Sequence, residues 1–285
     1  MSSNSSTALA CLGRIEELPA LRGAVLDLLR SLDDPLVDVE TLASKVASDQ
    51  AMAVKALRLA NSSFFGLARQ VSSIADATAI IGLRSVRNIA MVAGLTTTLD
   101  GRLCAEFDVD AFWRHAIATA LCAEALAGLR QFDAGVAFGF GLLHDIGAMA
   151  MAMTMPSDYG RALRLRRDSD ALLIDAEREV LGITHAEVGA ALAERWQLAP
   201  PMVAAIARHH TPPEEGEPGL LDLLHVADNI AHALDLSHQE AEMVPPLSMA
   251  AWGRLALSEA ELHRVFEQTE SRHTALCHAL LVKET

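Results

Sequence analysis

The chain is poor in aromatics, which make up 4% of its residues, with a single Tyr and three Trp. Strands draw on Tyr, Phe, Val, Ile and Thr, so this shortage, beside the abundance of Ala and Leu, argues against a sheet-based fold and for close-packed helices. Cysteine is also scarce: Cys11, Cys104, Cys122 and Cys277 form no CxxC pair and no dense framework. That excludes a disulfide scaffold and a cysteine-based zinc ribbon, and points to a reducing compartment. Positive charge is short as well, with 23 Lys and Arg against 37 Asp and Glu, a net charge of −14. Such a surface repels nucleic acid, whose phosphates need Lys and Arg. It leaves room for one small phosphorylated ligand in a local pocket. The apolar runs Phe138–Leu143 and Ala148–Met153 are short and interrupted, and the opening Met-Ser-Ser-Asn-Ser-Ser-Thr lacks the basic start and apolar core of a signal peptide. The expectation is a cytoplasmic protein with no membrane span. No Gly-rich phosphate loop and no Gly-x-Ser-x-Gly elbow is present, so P-loop and serine-hydrolase chemistry are not indicated.

What remains is helical. Periodic apolar residues and caps predict helices from about Leu18, over Val39 to Ala47, and from an Asp49 cap to about Asn61, with breaks at Asp33-Asp34-Pro35 and Asn61 to Gly66. Ser73 to Ile81, Gly82 and Leu83 to about Leu95 superficially resemble a helix-turn-helix bearing Arg84 and Arg87, but the second helix is apolar enough to be buried. Beyond a boundary near Asp100-Gly101-Arg102, helices are expected over Asp110–Gly128, Asp133 to about His144, Ser157–Arg167, Leu172–Leu181, Thr184–Gln197, Pro200–His210 and Leu220 to about Leu236. Thr211 to Pro218 is a loop. Pro245-Pro246 opens a helical tail, in which Ser258 with Glu261 makes a capping box. The expected organisation is a flexible start over 1–14, an N-terminal helical part over 15–100, a helical bundle over 101–240 and a tail over 241–285.

Along those helices runs an ordered series: His115, His144-Asp145, His185, His209-His210 and Asp228. Neutral imidazoles and carboxylates are what a transition metal takes, four to six per ion, and a bundle can deliver them from the inward faces of several helices. Mixed imidazole and carboxylate ligation suits iron, manganese or zinc. Of the other histidines, His225 lies one turn before Asp228 and reads as a packed or partly exposed residue. His232 and His238 read as surface, and His263, His273 and His278 as helix-face residues of the tail. Met149, Met151, Met153 and Met155 read as core filling, and the run Arg161, Arg164, Arg166 and Arg167 as a solvated face.

The chain resembles an HDOD domain, a branch of the HD superfamily of metal-dependent phosphohydrolases. The matching residues are Leu18-Pro19, Arg58 to Ser62, Ile80-Ile81-Gly82-Leu83-Arg84, Phe112-Trp113-Arg114-His115, Gly141-Leu142-Leu143-His144-Asp145-Ile146-Gly147, His185-Ala186-Glu187-Val188-Gly189 with Arg195-Trp196, and His209-His210. The resemblance implies an all-α, multi-helix HD bundle and a role in bacterial signalling as an output or scaffold module. It also implies that His115, His144, Asp145, His185, His209, His210 and Asp228 occupy the metal-ligand positions of catalytically active relatives, with Asp145 bridging two ions. Two departures stand out. The HD-GYP phosphodiesterase branch carries Lys where this chain has Ala148, and Gly-Tyr-Pro where Thr211-Pro212-Pro213 follows His-His. The expected function is therefore a regulatory module that binds a signalling protein or a small phosphorylated ligand. The alternative is a phosphohydrolase acting on a nucleotide or cyclic dinucleotide through His144 and Asp145, with Arg208 as a substitute cation.

Overall fold

The computed structural model describes residues 13–14, 18, 21, 23–32, 39–61, 70–99, 104–240 and 242–281. The expectations for the first twelve residues, Asp33–Pro35, Ser62–Gly66 and Asp100–Arg102 lie outside these. Among the described residues the protein is all-α, as its composition predicts. The helices are α1 Gly23–Arg30, α2 Val39–Ala47, α3 Gln50–Ala60, α4 Ile74–Ile81, α5 Leu83–Thr98, α6 Val109–Arg130, α7 Ala134–Leu143, α8 Ile146–Thr154, α9 Pro156–Ser169, α10 Leu173–Leu181, α11 His185–Arg195, α12 Pro200–Arg208, α13 Leu220–Ala233, α14 Met249–Leu255 and α15 Glu259–Leu281.

Sequence caps set most of the boundaries. Asp49, Ser73, Asp108, Asp133, Thr184 and Ser248 each accept a backbone N–H of the following first turn. Ser258 and Glu261 exchange hydrogen bonds, as their spacing predicts. One helix escaped the sequence reading. α8 follows directly on His144-Asp145, because an Ala/Met alternation has no 3.6-residue apolar stripe although both residues favour helix. Its Met149 and Met151, and Met155 just after it, are buried in the core, as expected of gap-filling methionines.

α6 is the organising element. It is apolar nearly all round, from Phe112 to Ala127, so it cannot keep one face in water. α7, α13 and α15 pack against it. A continuous core runs from Leu18 through α5, α6, α7 and α8 to Cys277, and a second apolar cluster lies between α6, α13, α14 and α15. In α5, Val86, Ile89 and Ala90 are buried, while Arg84 faces Glu124 at 3.8 Å and Arg87 donates to Ser31 O at 3.5 Å. The helix that a DNA reading needs free is thus a core element. By length and composition alone Ala134–Thr154 would suffice for a membrane span, but it is divided between α7 and α8, and 89% of its most apolar window is buried in the fold.

Candidate metal centre

All seven expected residues meet in one place. His115 comes from the first third of α6. His144 and Asp145 form the joint between α7 and α8, so neighbouring side chains turn into the same space. His185 is the first residue of α11, set by the reciprocal Thr184–Glu187 cap. His209 and His210 follow directly on α12, and Asp228 faces His115 and His144 from α13.

Two glycines of the sequence motifs make the meeting possible. A Cβ on Gly147 would fall 1.9 Å from His185 O, and one on Gly141 would fall 2.6 Å from Ala120 Cα. Backbone-to-backbone contact between α8 and α11, and between α6 and α7, therefore depends on hydrogen at these positions.

Asp145 is the hinge of the geometry. Its Oδ1 lies 3.2 Å from His185 Nε2 and 3.3 Å from His209 Nε2. Its Oδ2 lies 3.3 Å from His144 Nε2 and 3.8 Å from His115 Nε2. His210 Nε2 joins the first group at 2.9 Å from His185 Nε2. Asp228 Oδ1 joins the second, 3.0 Å from His115 Nε2 and 3.4 Å from His144 Nε2.

The donor set fits a divalent cation. The Nδ1–H groups of His144, His209 and His185 donate to Gly141 O at 2.6 Å, Ile206 O at 2.8 Å and Glu177 Oε2 at 2.7 Å. In its neutral form each ring would keep its Nε2 lone pair pointing inward, the arrangement that outer partners impose on metal-binding imidazoles. These lone pairs crowd one another, at 3.2 Å between His115 and His144 and 3.4 Å between His185 and His209. Asp145 Oδ1 and Asp228 Oδ2 are buried and accept no hydrogen bond among the described residues. Like-facing lone pairs and orphaned carboxylate oxygens cost free energy unless a positive charge lies between them.

The electrostatics show the same demand for positive charge at this point, met by protons on His144 and His185 when no cation lies between the groups. Burial opposes a charge on His144, but Asp145 and Asp228 raise its pKa to about 10. His185 is raised in the same way, against burial, by Glu177 and Asp145. Asp145 and Asp228 sit well below the carboxylate range in spite of burial, held down by the surrounding imidazoles. Burial lowers the pKa of His209, and burial with His209 and His185 drives His210 down to about 2.

A cavity of about 430 Å³ opens onto this centre. Asp145, His115, His185 and His210 form its floor, and Phe107, Phe112, Leu163, Leu172, Pro245 and Pro246 supply apolar walls. Ala148 also lines it, so the position where the phosphodiesterase branch carries Lys does face the cavity. Arg208 is exposed and does not line it; the cavity's cations are Arg166 and Arg178. Arg166 is part-buried and donates to Gln239 Oε1 at 3.1 Å, so it leaves the solvated face to which its charge run assigns it.

Three residues of this neighbourhood, His232, Glu177 and Glu242, are not marked by the sequence as part of it. His232, expected on the surface, is largely buried, with its Nδ1 2.6 Å from Glu242 Oε1. Its position one turn after Asp228 was the available signal. Glu177 is fully buried and receives both the backbone N–H and Nδ1–H of His185. Nothing in its sequence surroundings marks it, or Glu242. His225 is packed, as its sequence reading allows, donating to His209 O at 2.7 Å and accepting Ser248 N–H at 2.9 Å, which fixes the chain just after α12 that bears two of the expected ligands.

Comparison with known proteins matches this architecture. A curated relative, an uncharacterized protein of Treponema pallidum (strain Nichols), is 27% identical over 208 residues, 72% of this chain. The chain spans only 40% of that relative's length. An HDOD domain protein of unknown function from Geobacter sulfurreducens superposes with a TM-score of 0.81 at 22% identity, covering 98% of this chain and 100% of that one. A protein from Marinobacter aquaeolei VT8, provisionally described as acting in signal transduction, superposes with a TM-score of 0.76 at 21% identity, covering 99% of this chain and 66% of that one. The HDOD domain model matches residues 18–212, more than half of the chain, and the protein belongs to the HDOD family.

Proposed function

We propose that this protein is a cytoplasmic regulatory module in which a pair of divalent cations, held on the two sides of Asp145, docks a small phosphorylated ligand. Occupancy of the cavity is then passed to a signalling protein partner. The observation that carries this reading is the division of labour at Asp145, whose two carboxylate oxygens face two separate imidazole groups. His185, His209 and His210 would hold one ion with Asp145 Oδ1. His115, His144 and Asp228 would hold the other with Oδ2. Iron, manganese and zinc suit the mixed donor set. Bound there, such ions would offer phosphate oxygens a cationic seat that an acidic chain otherwise lacks. Arg166 stands in the same cavity to meet a second anionic group, and the apolar walls exclude water from it.

Calorimetric titration of manganese-loaded protein with inorganic phosphate and with nucleotides tests the reading. Saturable binding that disappears without metal and in Asp145→Ala supports it. Binding that survives both treatments overturns it.

Hydrolysis is the second reading, favoured by the open path from the cavity to Asp145. The chemistry that the metals would supply is activation of water for attack on phosphorus. Release of inorganic phosphate or a linear dinucleotide, abolished in Asp145→Ala, would put this reading first. The Ala148 side chain, with no charge to place on a substrate phosphate, favours binding over turnover.

A further inference from the structure

His232 and Glu242 belong to none of the sequence motifs, yet they repeat a construction found on the opposite flank of the centre. Around His185, a buried carboxylate (Glu177) takes Nδ1 at 2.7 Å and leaves Nε2 3.2 Å from Asp145 Oδ1. Around His232, Glu242 Oε1 takes Nδ1 at 2.6 Å and leaves Nε2 3.4 Å from Asp228 Oδ1. The rise of α13 puts His232 one turn beyond Asp228 on the same face.

Asp228 Oδ1 thus receives three imidazole nitrogens: His115 at 3.0 Å, His144 at 3.4 Å and His232 at 3.4 Å. Its Oδ2 is buried and has no hydrogen-bond partner among the described residues. Nor has the buried Nδ1 of His115, which points toward the same Glu242 Oε1 at 3.9 Å. One carboxylate therefore stands behind two imidazoles, and both of their Nε2 atoms look at Asp228. A pair serving only to pin the 242–248 segment would explain Glu242, but not an Nε2 aimed at a carboxylate already crowded with nitrogens.

We infer that His232 is a further metal ligand on the His115 side of the centre and that Glu242 is its positioning residue. The inference rests on the metal-pair reading above. It makes the two positions unequal. The His115 side gathers His115, His144, His232, Asp228 and one oxygen of Asp145, while the other has His185, His209, His210 and the remaining oxygen. The better-furnished side keeps its ion longer, and the other has fewer protein donors between its ion and the cavity.

Chelator competition on the manganese-loaded full-length chain, with metal per chain counted by mass spectrometry, tests this. The wild type is expected to release two ions in two separate steps. His232→Ala and His232→Gln should weaken one step by at least about 10–100-fold and leave the other, with Glu242→Gln shifting the same step by about that range. His238→Ala, an exposed neighbour, should shift neither. Melting is followed with and without metal, and the inference predicts a loss confined to the metal-loaded protein. An equal loss in the metal-free variants would assign His232 a structural role and overturn it. Two wild-type ions with both steps unmoved in His232→Gln would sink this inference alone. A wild type holding no ion would sink the metal-pair reading with it.

Discussion

Asp145 and His185 can meet because residue 147 has no side chain. An added Cβ there would lie 1.9 Å from His185 O and 2.5 Å from Gly189 N, both backbone atoms that cannot swing aside. Gly147→Ala is therefore expected to wedge α8 from α11 and cost stability at the upper end of about 1–3 kcal/mol. Chemical denaturation measures that cost, and metal binding should weaken in the same variant. Wild-type stability in it would mean that the contact is looser than described. The cysteines give a second prediction. Burial pushes the thiols of Cys122 and Cys277 up to about 12. They should resist thiol reagents in the native state and react on unfolding. Above about pH 9 the unfolded chain loses these protons while the native chain keeps them, so their burial makes stability fall as pH rises toward about 12. A denaturation series across that range, compared with Cys122→Ala, checks the sign. At this scale the sequence disclosed the seven residues of the ordered His/Asp series, because each is a ligand-type residue at a helix end or on an inward face. It hid Glu177 and Glu242, whose imidazole partners lie across a turn or loop, at positions no short-range pattern marks. His232 was misplaced because a lone histidine near a helix end carries no sign of burial. Only its one-turn spacing from Asp228 tied it to the centre.

Helix ends set the site's geometry. α11 begins at His185, and the Thr184 hydroxyl accepting Glu187 N–H, together with Glu187 accepting Thr184 N–H, decides where that first turn starts. Thr184→Ala is expected to cost about 1 kcal/mol of stability. Metal affinity should fall further than this loss alone explains, since the frayed residue is a proposed ligand. Parallel melting and metal titration separate the two effects, and a stability loss with unchanged affinity would show that Glu177 alone holds the ring. Caps explain why so many boundaries were legible: Asp49, Ser73, Asp133 and Thr184 are short polar residues before apolar runs. The joint between α7 and α8 was less legible. The apolar stretch continues through it in composition, and only the geometry shows a new helix starting after Asp145. α5 illustrates the opposite hazard, a helix–Gly–helix pattern that suggests a DNA reader while its apolar residues fill a core.

Across the whole molecule, one core and one centre depend on each other. α6 carries His115 and is itself clamped by α15, where Arg272 pairs with Glu124 and His273 donates to Arg114 O. The family match ends at residue 212, yet Asp228, His232 and Glu242 all come from beyond it, so the centre is completed by the segment after the matched region. The acidic net charge and the cationic seat proposed at Asp145 are complementary: net negative charge disfavours polyanions in general, and a local pair of cations would still seat a small one. Metal counted per chain in protein purified without chelators, wild type beside Asp145→Ala, tests this most directly. Two ions per wild-type chain, with both positions weakened by the loss of the shared carboxylate, is the predicted result; a metal-free wild type, or an Asp145→Ala chain that keeps both ions at full affinity, would contradict it.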